Sequence, residues 1–428
     1  METITFEQLQ EELFYEKLTN GLDVYVLPKT GFNKTYATFT TKYGSIDNEF
    51  IPEGKQEFVK FPDGIAHFLE HKLFEKEDGD VFQQFSKQGA SANAFTSFTR
   101  TAYLFSSTNN VVKNLETLIN FVQEPYFTEK TVEKEKGIIG QEITMYDDNA
   151  DWRLYFGLIS NMFKNHPVKI DIAGTIESIS HITKDMLYEC YRTFYHPSNM
   201  LLFIVGPVNP EQIIRLVREN QEKKPFTDKP EIERKFPDEP IETAEKKQVL
   251  KMNVQTAKCL VGIKANKHNS IGNEILKNEL TINVILELLF GKSSENYIKL
   301  YNEGLIDETF MFDYTQEHNF GFAVVGGDTR NPDELSKTLK SIFVKAKNGT
   351  FFTEEGLDRA KKKKIGAFLR AINSPEYIAN QFTRYAFNGM NFFDVVPTLE
   401  SISLNDIKER AAQFIAEERF TVCQVVPK

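Results

Sequence analysis

The sequence predicts an α+β protein made of two copies of one α/β sandwich, or roll, each with a largely antiparallel sheet. Three observations predict it. Strand-like and helix-like stretches occur in blocks, without a regular β-α-β alternation. Two motifs recur in the same order: Tyr126-Phe127-Thr128-Glu129 returns 225 residues later as Phe351-Phe352-Thr353-Glu354, and Glu177-Ser178-Ile179-Ser180 returns 223 residues later as Glu400-Ser401-Ile402-Ser403. Repetition at that spacing is a duplicated fold, not a solenoid of short repeats. Finally, residues 220–247 are dense in charge and carry Pro225, Pro230, Pro237 and Pro240, the composition of an exposed connector. The expected domains are therefore 1–219 and 248–428.

The elements follow in order along the first half. Asp23–Leu27 and Thr35–Tyr43 alternate or run apolar and read as strands. A helix containing His67 comes next. Ser91–Ser106, rich in Thr, Phe and Tyr, reads as strand, whereas Val111–Val122 and Val132–Tyr146 have helical spacing. Met200–Val208 is a buried-strand run closing at Gly206-Pro207.

Composition narrows the class. A chain of 428 residues is too long for one ordinary core, and 41% hydrophobic with 26% charged residues is globular. The net charge of −10 disfavours nucleic-acid binding, which needs a clustered basic surface. Lys361–Lys364 lie in a helical pattern and read as a solvated face. The start, Met1-Glu2-Thr3-Ile4-Thr5, lacks the basic and apolar regions of a signal peptide, and Met200–Val208 is too short to span a bilayer. No membrane association is expected. Cys190, Cys259 and Cys423 are widely spaced without a CxxC, so they read as small core residues in a reducing cytoplasm.

The chemistry concentrates at His67-Phe68-Leu69-Glu70-His71. On a helix, His67 and His71 project from one face, a spacing that lets both imidazoles reach one zinc ion. Glu70 stands beside them, placed to take a proton from water at the metal. The order is the H-x-x-E-H signature of the inverzincins, the reverse of H-E-x-x-H. Zinc then needs one more protein ligand and an open position. Glu135 and Glu142, seven residues apart on one helix face, are the candidates: one carboxylate can bind metal and the other can accept from a ligand imidazole. Spacing alone leaves their order open. Ile138 and Ile139 lie between them to anchor that face, and Gly137 and Gly140 suggest close packing of the helix. His166, His181, His196, His268 and His318 sit in turns or polar surroundings and read as surface or structural residues.

The second half acts as an internal control. At the 225-residue offset Glu135 falls on Ala360 and Glu142 on Ala367. Matching Leu73-Phe74 to Leu289-Phe290 sets Asn283, Leu286 and Glu287 opposite the metal motif. The copy keeps the scaffold and lacks the ligands.

Over essentially its whole length the chain resembles the pitrilysin/insulysin family of zinc peptidases, in its short bacterial branch related to the mitochondrial processing peptidase. The resemblance is carried by Gly64-Ile65-Ala66-His67-Phe68-Leu69-Glu70-His71, Asn93-Ala94-Phe95-Thr96, Glu135 through Glu142, Tyr195-His196-Pro197-Ser198-Asn199-Met200 and Gly291-Lys292-Ser293-Ser294. It implies half of a clam-shell peptidase with one Zn²⁺ per chain held by His67, His71 and Glu142. It further implies that Glu135 supports a ligand, Glu70 is the general base, and Asn93 and Ala94 lie on an edge strand that holds substrate backbone. The substrates implied are unfolded peptides. One departure stands out: after Gly-Lys-Ser-Ser, active members usually carry an arginine and, seven residues on, a tyrosine, where this chain has Tyr301 and Asp307. The expected partner is therefore a homologous chain lacking the zinc motif in a heterodimer, with a homodimer as the other arrangement. The competing expectation is a non-catalytic assembly subunit of the same fold. Against it stands the retention of two histidines and two glutamates in the first half only.

Overall fold

The computed structural model describes residues 1–77, 79–226, 231–266 and 271–428. In the first half, β1 (Glu2–Phe6), β2 (Glu11–Lys17), β3 (Asp23–Pro28) and β4 (Thr35–Thr41) are followed by two short ladders, β5 (Glu49–Phe50) with β6 (Val59–Lys60) and β7 (Glu75–Lys76) with β8 (Gly79–Asp80). Then come β9 (Ala90–Thr96), β10 (Thr101–Ser107) and β11 (Met200–Gly206). The seven-stranded sheet runs β1-β2-β3-β11-β4-β10-β9, and only the β3–β11 pair is parallel. The second half supplies β12 (Lys247–Met252), β13 (Lys258–Lys264), β14 (Met311–Gln316), β15 (Gly321–Asp328) and β16 (Phe420–Pro427). Its sheet runs β12-β16-β13-β15-β14, with only β12–β16 parallel.

Strand for strand, this second order repeats β3-β11-β4-β10-β9, including the single parallel pair. The duplicated, largely antiparallel α+β class expected from the sequence is the class observed. Strands β4 and β11 are buried along their whole lengths, as central strands covered on both faces must be.

Several expectations need correction. The stretch Ser91–Ser106 is two strands, a hairpin whose turn at 97–100 is closed by Ser97 Oγ accepting from the Thr99 and Arg100 N–H groups. The β-prone Phe98 and Thr99 disguise that turn. Gly137 and Gly140 mark no close packing, because a Cβ at either would meet nothing within 4 Å. Of the two isoleucines between the glutamates, Ile139 is buried and Ile138 is exposed. The lysine run is solvated at Lys362 and Lys363, which pair with Asp358 and Glu287, whereas Lys361 is half-buried and donates to the Glu400 and Ile402 carbonyls.

The compact units also depart from contiguous 1–219 and 248–428 blocks. The first comprises Met1–Ile143, Asp171–Phe236 and Ala371–Phe387; the second comprises Thr144–Ile170, Pro237–Arg370 and Asn388–Lys428. Two helices of equal length, Ala150–Met162 and Pro375–Phe387, are separated by the repeat offset and are reciprocally exchanged. In the first unit Pro375–Phe387 packs on β4 and β11, its Phe382 ring 4.5 Å from Phe203 and 4.8 Å from Tyr25. In the second, Ala150–Met162 lies on β13 and β16 so closely that a Cβ on Gly157 would fall 2.9 Å from Cys423 Sγ. Burial of these apolar faces, and not chain order, sets the partition.

The described connector residues are fastened, not loose. Arg234 pairs with Asp47 at 2.9 Å and Lys235 with Glu49 at 2.7 Å in the first unit. In the second, Glu239 pairs with Lys264 and accepts from the N–H groups of Lys164, Asn165 and His166. Pro230 and His268 lie outside the described residues. All three cysteines are buried and unbridged, and none of the described helices is long and apolar enough to cross a membrane.

Candidate metal centre

The helix Ile65–Leu73 starts at Gly64, which has φ +89°, and a Cβ there would lie 2.4 Å from the Ala173 carbonyl oxygen. Only glycine allows both the left-handed backbone and that approach. The helix packs along β9 and β10 and buries every residue except His71, so His67, Glu70 and Lys72 are polar groups sunk in apolar surroundings. Such groups need partners. Helix Glu129–Asp148 supplies most of them.

His67 Nε2 lies 3.8 Å from Glu142 Oε1, and His71 Nε2 lies 3.5 Å from Glu142 Oε2. The ring centroids of the two histidines are 4.6 Å apart. Ligand atoms of His67, His71 and Glu142 all fall within 4.8 Å of one another, the one group of this kind among the described residues. Tetrahedral donors about 2.05 Å from zinc would stand about 3.3 Å apart. The two histidine–Glu142 separations, 3.8 and 3.5 Å, lie within about 0.5 Å of that spacing, and two imidazoles with one carboxylate are a donor set zinc accepts. Burial, with the neighbouring His71, pushes the His67 pKa down to about 4, so its ring is neutral and its lone pair available to a metal. His67 Nδ1 is buried without a hydrogen-bond partner among the described residues.

The two glutamates take different places. Glu142 faces both imidazole Nε2 atoms, while Glu135 Oε1 lies 3.1 Å from His71 Nδ1, the nitrogen turned away from Glu142. Burial works against the charge on both members of the His71–Glu135 pair. Even so, their hydrogen bond and the neighbouring charges raise His71 above its usual value and hold Glu135 below the carboxylate range.

Glu70 stands apart from the donor set. Its Oε2 accepts from the Thr96 hydroxyl at 2.6 Å. Burial pushes its carboxyl up to about 7, against the hydrogen bonds from Thr96 and the pull of His71. A carboxyl balanced near neutrality can both accept and release a proton. Thr96 ends β9, the edge strand that carries Asn93 and Ala94, paired on one side only through Leu104 and Tyr103 of β10. The helix of the two histidines packs along that same strand.

Sequence reasoning assigned no role to Thr96 or Lys72. Strand alternation turns Thr96 to the face that carries Ala94, a signal too weak to read alone. Lys72 gave no clear signal either, because Glu70, His71, Glu75 and Lys76 stand close to it in the sequence. In the second unit Glu287, opposite His71, is buried and pairs with Lys363 at 2.6 Å, and Ala360 is buried where Glu135 would stand. In the second unit an ion pair thus joins the two helices whose counterparts in the first unit carry the candidate ligands.

The sequence and the fold both have known relatives. Residues 60–176 match insulinase (peptidase family M16), and residues 181–364 match the peptidase M16 inactive domain. A Bacillus subtilis protein described as the uncharacterized zinc protease YmfH is 68% identical over 99% of both chains. The crystal structure of an M16-like peptidase from Alicyclobacillus acidocaldarius superposes with a TM-score of 0.94 at 39% identity, covering 98% of this chain and 99% of that one. A protease from Helicobacter pylori shares the fold, with a TM-score of 0.84 at 21% identity over 97% of this chain and all (100%) of the other. The chain therefore belongs to the insulinase family, peptidase family M16.

Proposed function

We propose that this protein is a zinc metallopeptidase that hydrolyses unfolded peptides, with one Zn²⁺ held by His67, His71 and Glu142. The observation that carries the reading is the convergence of those three donors beside a separately anchored acid, Glu70. Zinc at such a site supplies an electrophile that polarises a carbonyl and acidifies water. Glu70 takes the proton of the attacking water and delivers it to the leaving amine. Thr96 holds the carboxylate of Glu70 in place, and Glu135 fixes the His71 tautomer through Nδ1. An extended peptide would add to the free edge of β9 beside Asn93 and Ala94, with backbone pairing that tolerates many side chains. Relatives named as zinc proteases support the class.

The working form is a pair of homologous chains. Tyr301 is solvent-exposed and Asp307 is occupied with the Thr309 hydroxyl and N–H, so neither supplies the arginine and tyrosine that active members of the family usually carry there. A partner chain would bring them. The unbridged cysteines fit a reducing cytoplasm as its place of work.

The test is metal content and peptide turnover of the protein purified from native cells with whatever accompanies it. H67A should lose zinc. E70Q should keep zinc near one per chain while turnover falls by about 10²–10⁴-fold. Zinc-free wild-type protein that still binds its partners normally would refute the enzyme and leave an assembly subunit.

A further inference from the structure

Lys72 follows the ligand His71 and is fully buried, with no exposed side-chain surface. A lysine sunk this deeply is rare and is sustained only by opposite charge. Two carboxylates provide it: Glu75, in direct contact, and Glu135, whose Oε2 lies 4.0 Å from Nζ. Glu135 therefore lies between two consecutive residues of the helix Ile65–Leu73. It offers Oε1 to His71 Nδ1 and Oε2 to Lys72 Nζ.

A carboxylate held at one oxygen can swing about its last torsion, which is broad. With its second oxygen drawn toward a fixed cation 4.0 Å away, its plane is restrained. The plane in turn fixes the His71 ring, whose opposite nitrogen faces Glu142 3.5 Å away. We infer that Lys72 is a positioning residue of the metal centre: clamped by Glu75, it pins Glu135 so that His71 presents Nε2 to the ion. The inference rests on the zinc reading above and extends it to a residue outside the ligand set. The lysine's charge alone would oppose a divalent cation, so the two effects predict opposite results when it is removed.

The experiment is a double-mutant cycle read as zinc affinity, by competition with a chromophoric chelator, on wild type, K72M, E135Q and K72M/E135Q. Cobalt-substituted visible spectra serve as a second readout of ligand geometry. Outer-shell support is worth about 10–100-fold in metal affinity. The expectation is that K72M binds zinc about tenfold more weakly, with altered cobalt bands, and that the double variant is no weaker than E135Q. Unchanged or tighter binding in K72M would overturn the inference, because charge and not position would then dominate. So would losses that multiply in the double variant, because Lys72 would then act other than through Glu135. If K72M fails to fold, K72Q takes its place, and the same outcomes support or overturn the inference. H67A runs alongside. If wild type binds zinc and H67A does not, the zinc reading stands whatever K72M does; if wild type binds none, both fall.

Discussion

Phe382 is the sharpest place to test the architecture, because it comes from the second half of the sequence and belongs to the core of the first unit. Its ring is 5% exposed and packs against Phe203 and Tyr25. Truncating a buried phenylalanine costs about 3–5 kcal/mol, including the cavity left behind. A loss of about 4 kcal/mol is a large share of the roughly 5–15 kcal/mol that holds a domain folded. At a urea slope of about 2.5 kcal/mol/M, F382A should lower the midpoint of the first unit by about 1.5 M. The two units can be followed separately. The single tryptophan, Trp152, stacks on Tyr146 within the second unit, so its fluorescence reports that unit. Release of zinc from the proposed site would report the first. The expected result is early zinc release in F382A, ahead of the Trp152 transition. A shift in the zinc-release midpoint below about 0.4 M, equivalent to 1 kcal/mol at that slope, would refute the claim that this helix seals the first sheet.

Other expectations concern single positions. G157A forces a methyl group against Cys423 Sγ and Gln248 Oε1, each 2.9 Å from the new Cβ, and should cost about 1–3 kcal/mol in a thermal melt followed by Trp152. G137A should gain about 0.5–1 kcal/mol, since the helix is exposed there and a Cβ meets nothing; a lower melting temperature would show that the surface is needed for packing. Burial opposes the charge on Asp406, but the Ser403 N–H and hydroxyl and Lys277 hold its carboxyl down at about 2. Its stabilising contribution is therefore complete above about pH 4 and lost as pH falls through about 2, so D406N should flatten the acid limb of the stability curve in that window. An unchanged acid limb in D406N would refute it.

Much of this molecule was legible because its signals are short-range. The H-x-x-E-H spacing fixes both histidines on one helical face whatever packs around them, and Glu135 and Glu142 share a face for the same reason. The duplication was legible as recurring text, and the strand orders repeat it. Less visible was anything decided by partners distant in sequence. The turn at 97–100 is an exception, being closed locally between Ser97 and Arg100, but it is hidden among β-prone residues. Gly137 and Gly140 suggested packing that a helix facing open space does not need. The exchange of Ala150–Met162 and Pro375–Phe387 follows from which sheet face each apolar stripe covers, and helical periodicity says only that a stripe exists. Thr96 gained its importance from Glu70, 26 residues earlier in the chain.

That reciprocal exchange has a consequence for how the protein comes into being. His67, His71 and Glu142 are all made long before residue 375, yet β4 and β11 lack the helix that covers one of their faces until that segment arrives. A nascent chain stalled midway would present bare strands, the kind of surface that chaperones and proteases seize. Metal loading at the proposed site would then follow synthesis of Pro375–Phe387. A product ending before Pro375 would lack the helix that packs on β4 and β11, whatever the state of its first 143 residues.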